Sequence, residues 1–214
     1  RDGLPMVSYM TRPATSGPVP FVLMVHGGPN ARDSWGYNGL HQWLANRGYG
    51  VLSVNYRGST GFGKKFIMAG NGEWSRKMHD DLIDAVEWLI SQGHAPRDKI
   101  AIMGGSYGGY ATLVGLTFTP DVFACGIDIV GPSNLKTLME TIPPYWKPAL
   151  DILKRKLGGD LDSPEGLKEL ADRSPLHRHQ AIKKPLLIGQ GAHDPRVKQA
   201  EADQIVNAMV QSNI

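Results

Sequence analysis

Along the chain, short apolar runs alternate with longer stretches whose apolar residues recur at helical spacing. Residues 20–25, 51–55, 99–103, 123–130 and 185–189 are such runs, bounded by Gly, Pro or polar residues, and they predict five strands. Between residues 78 and 91, Leu82, Ile83, Val86, Leu89 and Ile90 fall at i, i+1, i+4, i+7 and i+8, one face of a helix. Gly93 follows where a C-cap glycine belongs. A short helix is expected over 39–46, stopped by Gly48, and another over 110–118. A last helix over 197–210 carries Ala202, Ile205, Val206, Met209 and Val210 on one side. Residues 135–172 are mixed and broken by Pro143 and Pro144, which suggests a helical excursion. Strands that alternate with helices imply a mostly parallel sheet flanked by helices, an α/β fold. Ligand sites in such sheets lie beyond the carboxyl ends of the strands.

Composition narrows the picture. A length of 214 residues suits one domain over 1–214 with a sizeable core. Lys and Arg number 23 against 20 Asp and Glu, a net charge of +3, too small and scattered to imply a nucleic-acid partner. The single cysteine, Cys125, excludes an internal disulfide and reads as a small core residue. No apolar stretch approaches the ~18 residues of a membrane span, so no membrane partner is expected. No segment has the pattern of a signal peptide, and the compartment stays open.

The chemistry gathers at the strand ends. Gly104-Gly105-Ser106-Tyr107-Gly108 matches G-x-S-x-G between a predicted strand and a predicted helix. In the α/β-hydrolase fold that turn lifts a serine hydroxyl above the sheet, which makes Ser106 the candidate nucleophile. His26-Gly27-Gly28-Pro29 follows the first central strand, and its glycines let backbone approach a ligand. The N–H groups of Gly28 and Tyr107 are therefore the candidate oxyanion donors. His26 suits a structural hydrogen bond better than the role of base. Asp194, after the 185–189 strand, is the candidate acid. The fold's chain order then asks for a histidine after Asp194, and all seven histidines precede it.

These motifs, with Asn55-Tyr-Arg-Gly-Ser-Thr-Gly-Phe-Gly63 and Gly191-Ala-His-Asp-Pro-Arg-Val197, resemble the catalytic domain of the prolyl oligopeptidase family. The bacterial dipeptidyl-peptidase and acylaminoacyl-peptidase branch is the nearest likeness. The resemblance implies Ser106 as nucleophile, Asp194 as acid, and Gly28 and Tyr107 at the oxyanion. It also implies a hydrophobic subsite near Tyr107, walled by Val197 and by the 135–139 stretch, with Leu138 and Met139 as candidates. In the family a β-propeller precedes this domain and the histidine lies in a downstream Gly-His-Gly-like segment; neither is in these residues. The expectation is an α/β-hydrolase fold without its last strand and helix. The 185–189 strand would then be an exposed edge open to self-association.

Two other motifs are set aside. Residues 58–65 nearly spell a phosphate-binding loop, but Lys65 stands where a Mg²⁺-holding Ser or Thr is needed. His79-Asp80-Asp81 occupy consecutive helix positions that do not face one ion, and they are expected on a solvated or capping face. Tyr145 and Trp146 fit either a substrate entrance or a packed loop. Two function classes follow. One is a serine hydrolase that cuts short peptide or ester substrates through an acyl-enzyme on Ser106, with no cofactor and no metal. The alternative is a catalytically dead fragment lacking the triad histidine and binding ligands at most.

Overall fold

Each of the five apolar runs forms a strand: β2 (Phe21–Val25), β3 (Gly50–Val54), β4 (Ile100–Gly105), β5 (Cys125–Ile129) and β6 (Leu186–Gly189). The computed structural model describes all 214 residues and adds an earlier strand, β1 (Ser8–Thr11). The sheet order is β1-β3-β2-β4-β5-β6. Only β1 runs antiparallel, against β3; the other neighbours are parallel. β1 escapes sequence detection because it is an edge strand with no buried residue, so it carries no apolar run.

The helices are α1 (Gly39–Ala45), α2 (Lys64–Met68), α3 (Lys77–Ser91), α4 (Tyr107–Phe118), α5 (Leu135–Glu140), α6 (Leu150–Leu157), α7 (Pro164–Asp172) and α8 (Gln199–Gln211). The excursion over 135–172 is thus α5 to α7, with a 3-10 turn at Pro144–Ala149 where the prolines stop a regular helix. Asn38 and Asn134 accept the first free N–H groups of α1 and α5, and Ser163 does so for α7, which is why these helices begin there.

Strand register divides the sheet into two unlike faces. Leu23, Leu52 and Ile102 lie on one face with Val25, Val54 and Ile100. They join Leu82, Val86 and Leu89 of α3 and Leu113 and Leu116 of α4 in the main core. The opposite face carries Val22 and Val51 under Leu44 of α1, where buried His41 bonds Ser53 Oγ at 2.8 Å. That cover stops short. Ala101 and Met103 continue the face into Cys125, Ile127 and Leu187. There Cys125 is half-buried rather than a core residue, because no helix packs over this side of β5. Ile129 is 39% and Leu187 65% exposed. On α8, Ala202 and Ile205 are buried, while Val206 and Val210 of the predicted apolar side face solvent.

Two buried carboxylates tie the loops to this frame. Asp81 is not on a solvated face: it accepts from Arg57 N, Nε and Nη2 at 2.9, 2.8 and 2.7 Å. The long guanidinium reaches down from the loop after β3 and lets the charge be buried as a bidentate pair. His79 is buried too, against Thr119 Oγ1 at 3.0 Å, and burial pushes its pKa down to about 4. Of the three residues, only Asp80 meets the surface expectation, in an ion pair with Arg1. Glu201 of α8 accepts from Ser133 N and Asn134 N, both at 2.9 Å. It clamps α8 to the segment between β5 and α5.

The outer edge of β6 pairs with no other strand of the chain, and it adjoins the uncovered half-face. Burying a residue such as Leu187 is worth about 1.5–3 kcal/mol. The 214-residue chain is therefore expected to associate as its concentration rises, and Leu187→Lys to weaken that association. Light scattering across a dilution series checks this; a monomer at every concentration would contradict it.

Candidate active site

The β4–α4 connection is built from glycine because three stretches of backbone meet there. A Cβ on Gly108 would lie 2.1 Å from Val25 O, and one on Gly104 would lie 2.5 Å from the same atom. On the other flank, a Cβ on Gly109 or Gly131 would lie 2.3 Å from Asp128 Oδ1. No side chain fits at these crossings. Ser106, at the apex, has φ +56° and ψ −116°, a region that L-residues avoid and that surrounding structure must enforce. Its N–H donates to Ile129 O at 2.9 Å, and its carbonyl accepts from Tyr110 N at 3.0 Å. The side chain is left exposed above the sheet.

The His26–Pro29 loop docks against this apex. A Cβ on Gly27 would lie 2.9 Å from Gly105 O, so the first glycine of the pair permits the approach. Gly28 has φ +120°, which explains the second. The N–H groups of Gly28 and Tyr107 bond no acceptor in the protein. Both residues line one cavity with Ser106. The N-terminus of α4 adds its partial positive charge at the same place.

His26 holds this loop in place. Its Nε2 lies 2.9 Å from Ser59 Oγ and its Nδ1 2.8 Å from Gly27 O. Its ring stacks on Tyr56 at 4.5 Å, and Tyr56 OH donates to His26 O at 2.8 Å. Burial pushes the His26 pKa below the ordinary histidine range, with the Gly27 carbonyl pulling it back. Asp128, under the Ser106 turn, is pushed up to about 7 by burial, against the pull of its bond from Gly131 N.

The cavity beside Ser106 measures about 230 Å³. Leu138 and Val197 line it, as the sequence suggests, and Trp146 lines it while Tyr145 stays exposed. Met139 does not reach it. One residue on from Leu138 along α5, it turns about 100° away and is buried in the main core. Trp74, Ile152, Leu153 and Lys156, none of them singled out by the sequence motifs, complete much of the wall. The apolar stripe of α6 is a signal that could have pointed to the last three.

Asp194 stands outside the cavity lining, at the carboxyl end of β6 and half-exposed. Its Oδ1 accepts from Arg196 N and Val197 N, both at 2.8 Å. Its Oδ2 receives no bond from the protein. No histidine ring bonds Ser106 or Asp194; the rings of His26, His41, His79, His94 and His179 are bonded elsewhere.

The profile described as "Prolyl oligopeptidase family" matches residues 35–214. Dipeptidyl aminopeptidase BIII of Pseudoxanthomonas mexicana is 64% identical, over 100% of this chain and 32% of that protein. The solved puromycin-hydrolyzing peptidase of Mycobacterium tuberculosis superposes with a TM-score of 0.90 at 29% identity, over 99% of this chain and 32% of the other. An acylaminoacyl peptidase in complex with Z-Gly-Gly-Phe-chloromethyl ketone gives 0.88 at 26% identity, over 99% and 34%. The fold is that of the α/β-hydrolases, and the chain spans roughly a third of the length of these relatives.

Asp194→Asn keeps the Oδ1 acceptor and is expected to leave stability within about 0.5 kcal/mol, whereas Asp194→Ala strands two N–H groups and should cost about 1–2 kcal/mol. Urea midpoints of the two variants check this. Equal losses would mean that charge, not the acceptor, holds the loop.

Proposed function

This chain belongs to the prolyl oligopeptidase family, and we propose that it carries the nucleophile, the oxyanion donors and the acid of a serine hydrolase of peptide or ester bonds. The observation that carries the reading is the convergence of Ser106, Gly28 and Tyr107 on one cavity. Ser106 Oγ attacks the substrate carbonyl. The N–H groups of Gly28 and Tyr107, unbonded in the free protein, donate to the oxygen on which negative charge develops. The C–N or C–O bond breaks, the leaving group departs with a proton, and the acyl group stays on Ser106 until water releases it.

The serine proton needs an imidazole to receive it. The free Oδ2 of Asp194 suits an imidazole N–H, which it would orient and stabilise in charged form. His26 is a poor substitute, because its Nδ1 is taken up by Gly27 O and its Nε2 by Ser59 Oγ. A short peptide is the favoured substrate class, supported by the peptide-like chloromethyl ketone bound to the related acylaminoacyl peptidase.

A fluorophosphonate probe is expected to modify Ser106, located by peptide mass spectrometry, and to leave the Ser106→Ala chain unmodified. Because no ring in the chain bonds Ser106, added imidazole is expected to accelerate the labelling. An adduct on another residue, or equal labelling of Ser106→Ala, would overturn the assignment.

A further inference from the structure

Two residues other than glycine turn left-handed where the end of β5 meets the Ser106 turn. Ser106 has φ +56° and Val130 φ +49°, and a β-branched residue rarely adopts that region. One hydrogen bond ties the two turns together: Ser106 N–H donates to Ile129 O at 2.9 Å. Asp128 holds the second turn closed. Its Oδ1 accepts from Gly131 N at 2.8 Å, which encloses Ile129 and Val130 in a loop tied at both ends. Val130 N donates in turn to Gly189 O at 2.8 Å. The same Oδ1 lies against the first turn of α4, where a Cβ on Gly109 would come within 2.3 Å of it.

Asp128 is 1% exposed. Gly104 of β4 and Ile188 of β6 flank it in the sheet, and Gly109 of α4 and Gly131 lie over it. None of these residues titrates. Burial alone pushes its pKa up to about 7, against the bond from Gly131 N, and no charged group contributes to the shift. A buried carboxyl with no cation beside it favours its neutral form. The neutral acid still presents an oxygen that accepts.

We propose that Asp128 is a positioning residue for Ser106: as a neutral acceptor it fixes the Ile129–Val130 turn that grips the Ser106 N–H, and a negative charge on it slows attack by Ser106. This role rests on Ser106 as nucleophile. Two effects give it its sign. Without the acceptor, Val130 is free to leave its strained conformation, and Ile129 O moves with it. With a charge, the carboxylate offsets the partial positive charge that the first turn of α4 offers to the developing oxyanion.

The test follows the rate of fluorophosphonate labelling at Ser106, located by peptide mass spectrometry, at a fixed concentration of added imidazole. Asp128→Asn keeps a neutral oxygen acceptor and is expected to label within about twofold of the wild type at about pH 6. Asp128→Ala removes the acceptor and should label about tenfold more slowly or worse. Adding Val130→Gly to Asp128→Ala should recover most of that loss, because glycine takes the left-handed conformation unaided. Between about pH 6 and about pH 8.5, the Asp128→Asn rate should rise about fivefold relative to the wild type. That ratio cancels the pH dependence that imidazole and serine bring to both chains. Urea midpoints show whether each variant is folded; where Asp128→Ala is not, the pH ratio of Asp128→Asn decides by itself. Asp128→Ala labelled at the wild-type rate, Asp128→Asn as slow as Asp128→Ala, no recovery on adding Val130→Gly, or a ratio flat across the pH range would each overturn the proposal. A wild-type chain unlabelled at Ser106 would overturn the nucleophile and the role of Asp128 together. A labelled wild type with any of the four contrary results overturns only the role of Asp128.

Discussion

The site depends on how closely three backbones approach one another under Ser106. Val25 at the end of β2, the Gly104–Gly109 turn, and the Asp128–Gly131 segment after β5 pack with no space between them for a single Cβ. That contact forces Ser106 into its left-handed conformation. It also aims the first N–H groups of α4 upward and brings the Gly27–Gly28 loop against the turn. A larger side chain at any crossing would push two strands of the central sheet apart. The strain at Ser106 persists because the bonds of its N–H to Ile129 O and of its carbonyl to Tyr110 N hold the turn from both ends.

Around that fixed centre the rest of the site is clamped rather than crossed. Arg57 pinned on Asp81 sets the loop that carries Tyr56 and Ser59, and these in turn hold His26 and the Gly27–Gly28 loop. Glu201 fastens α8 to the start of α5, which sets Leu138 and Val197 on the cavity. Both clamps are buried carboxylates that accept several donors, so each resists displacement from more than one direction. The excursion from α5 to α7 closes the remaining side with Trp146 and α6.

Legibility in the sequence followed the range of the interactions. β2 and β3 were legible because burial on both faces leaves continuous apolar runs, and β4, β5 and β6 because their less covered face is apolar as well. α3 was legible from its period, since one of its sides is buried and the other is not. The Ser106 turn and the Gly27–Gly28 loop were legible as glycine-built turns because local geometry demands glycine there. β1 was not, being half-exposed and held by hydrogen bonds to β3 rather than by apolar content. Asp81 was misjudged because its partner, Arg57, lies 24 residues away, and no local pattern announces that pairing. The resemblance implies Met139 at the cavity along with Leu138, but helical rotation sends neighbours to different surroundings. Lys156 and Trp74 went unnoticed because they come to one cavity only through the folding of the excursion back over the site.

The most direct measurement is the stability of Gly108→Ala. Within a helix this substitution ordinarily stabilises by about 0.5–1 kcal/mol. With the new Cβ 2.1 Å from Val25 O, the account predicts the opposite sign. The urea midpoint should fall by the equivalent of about 2 kcal/mol or more, together with the loss of fluorophosphonate labelling at Ser106. A Gly108→Ala chain at least as stable as the wild type and labelled at an equal rate would contradict the claim that backbone contact at this glycine holds the nucleophile in place.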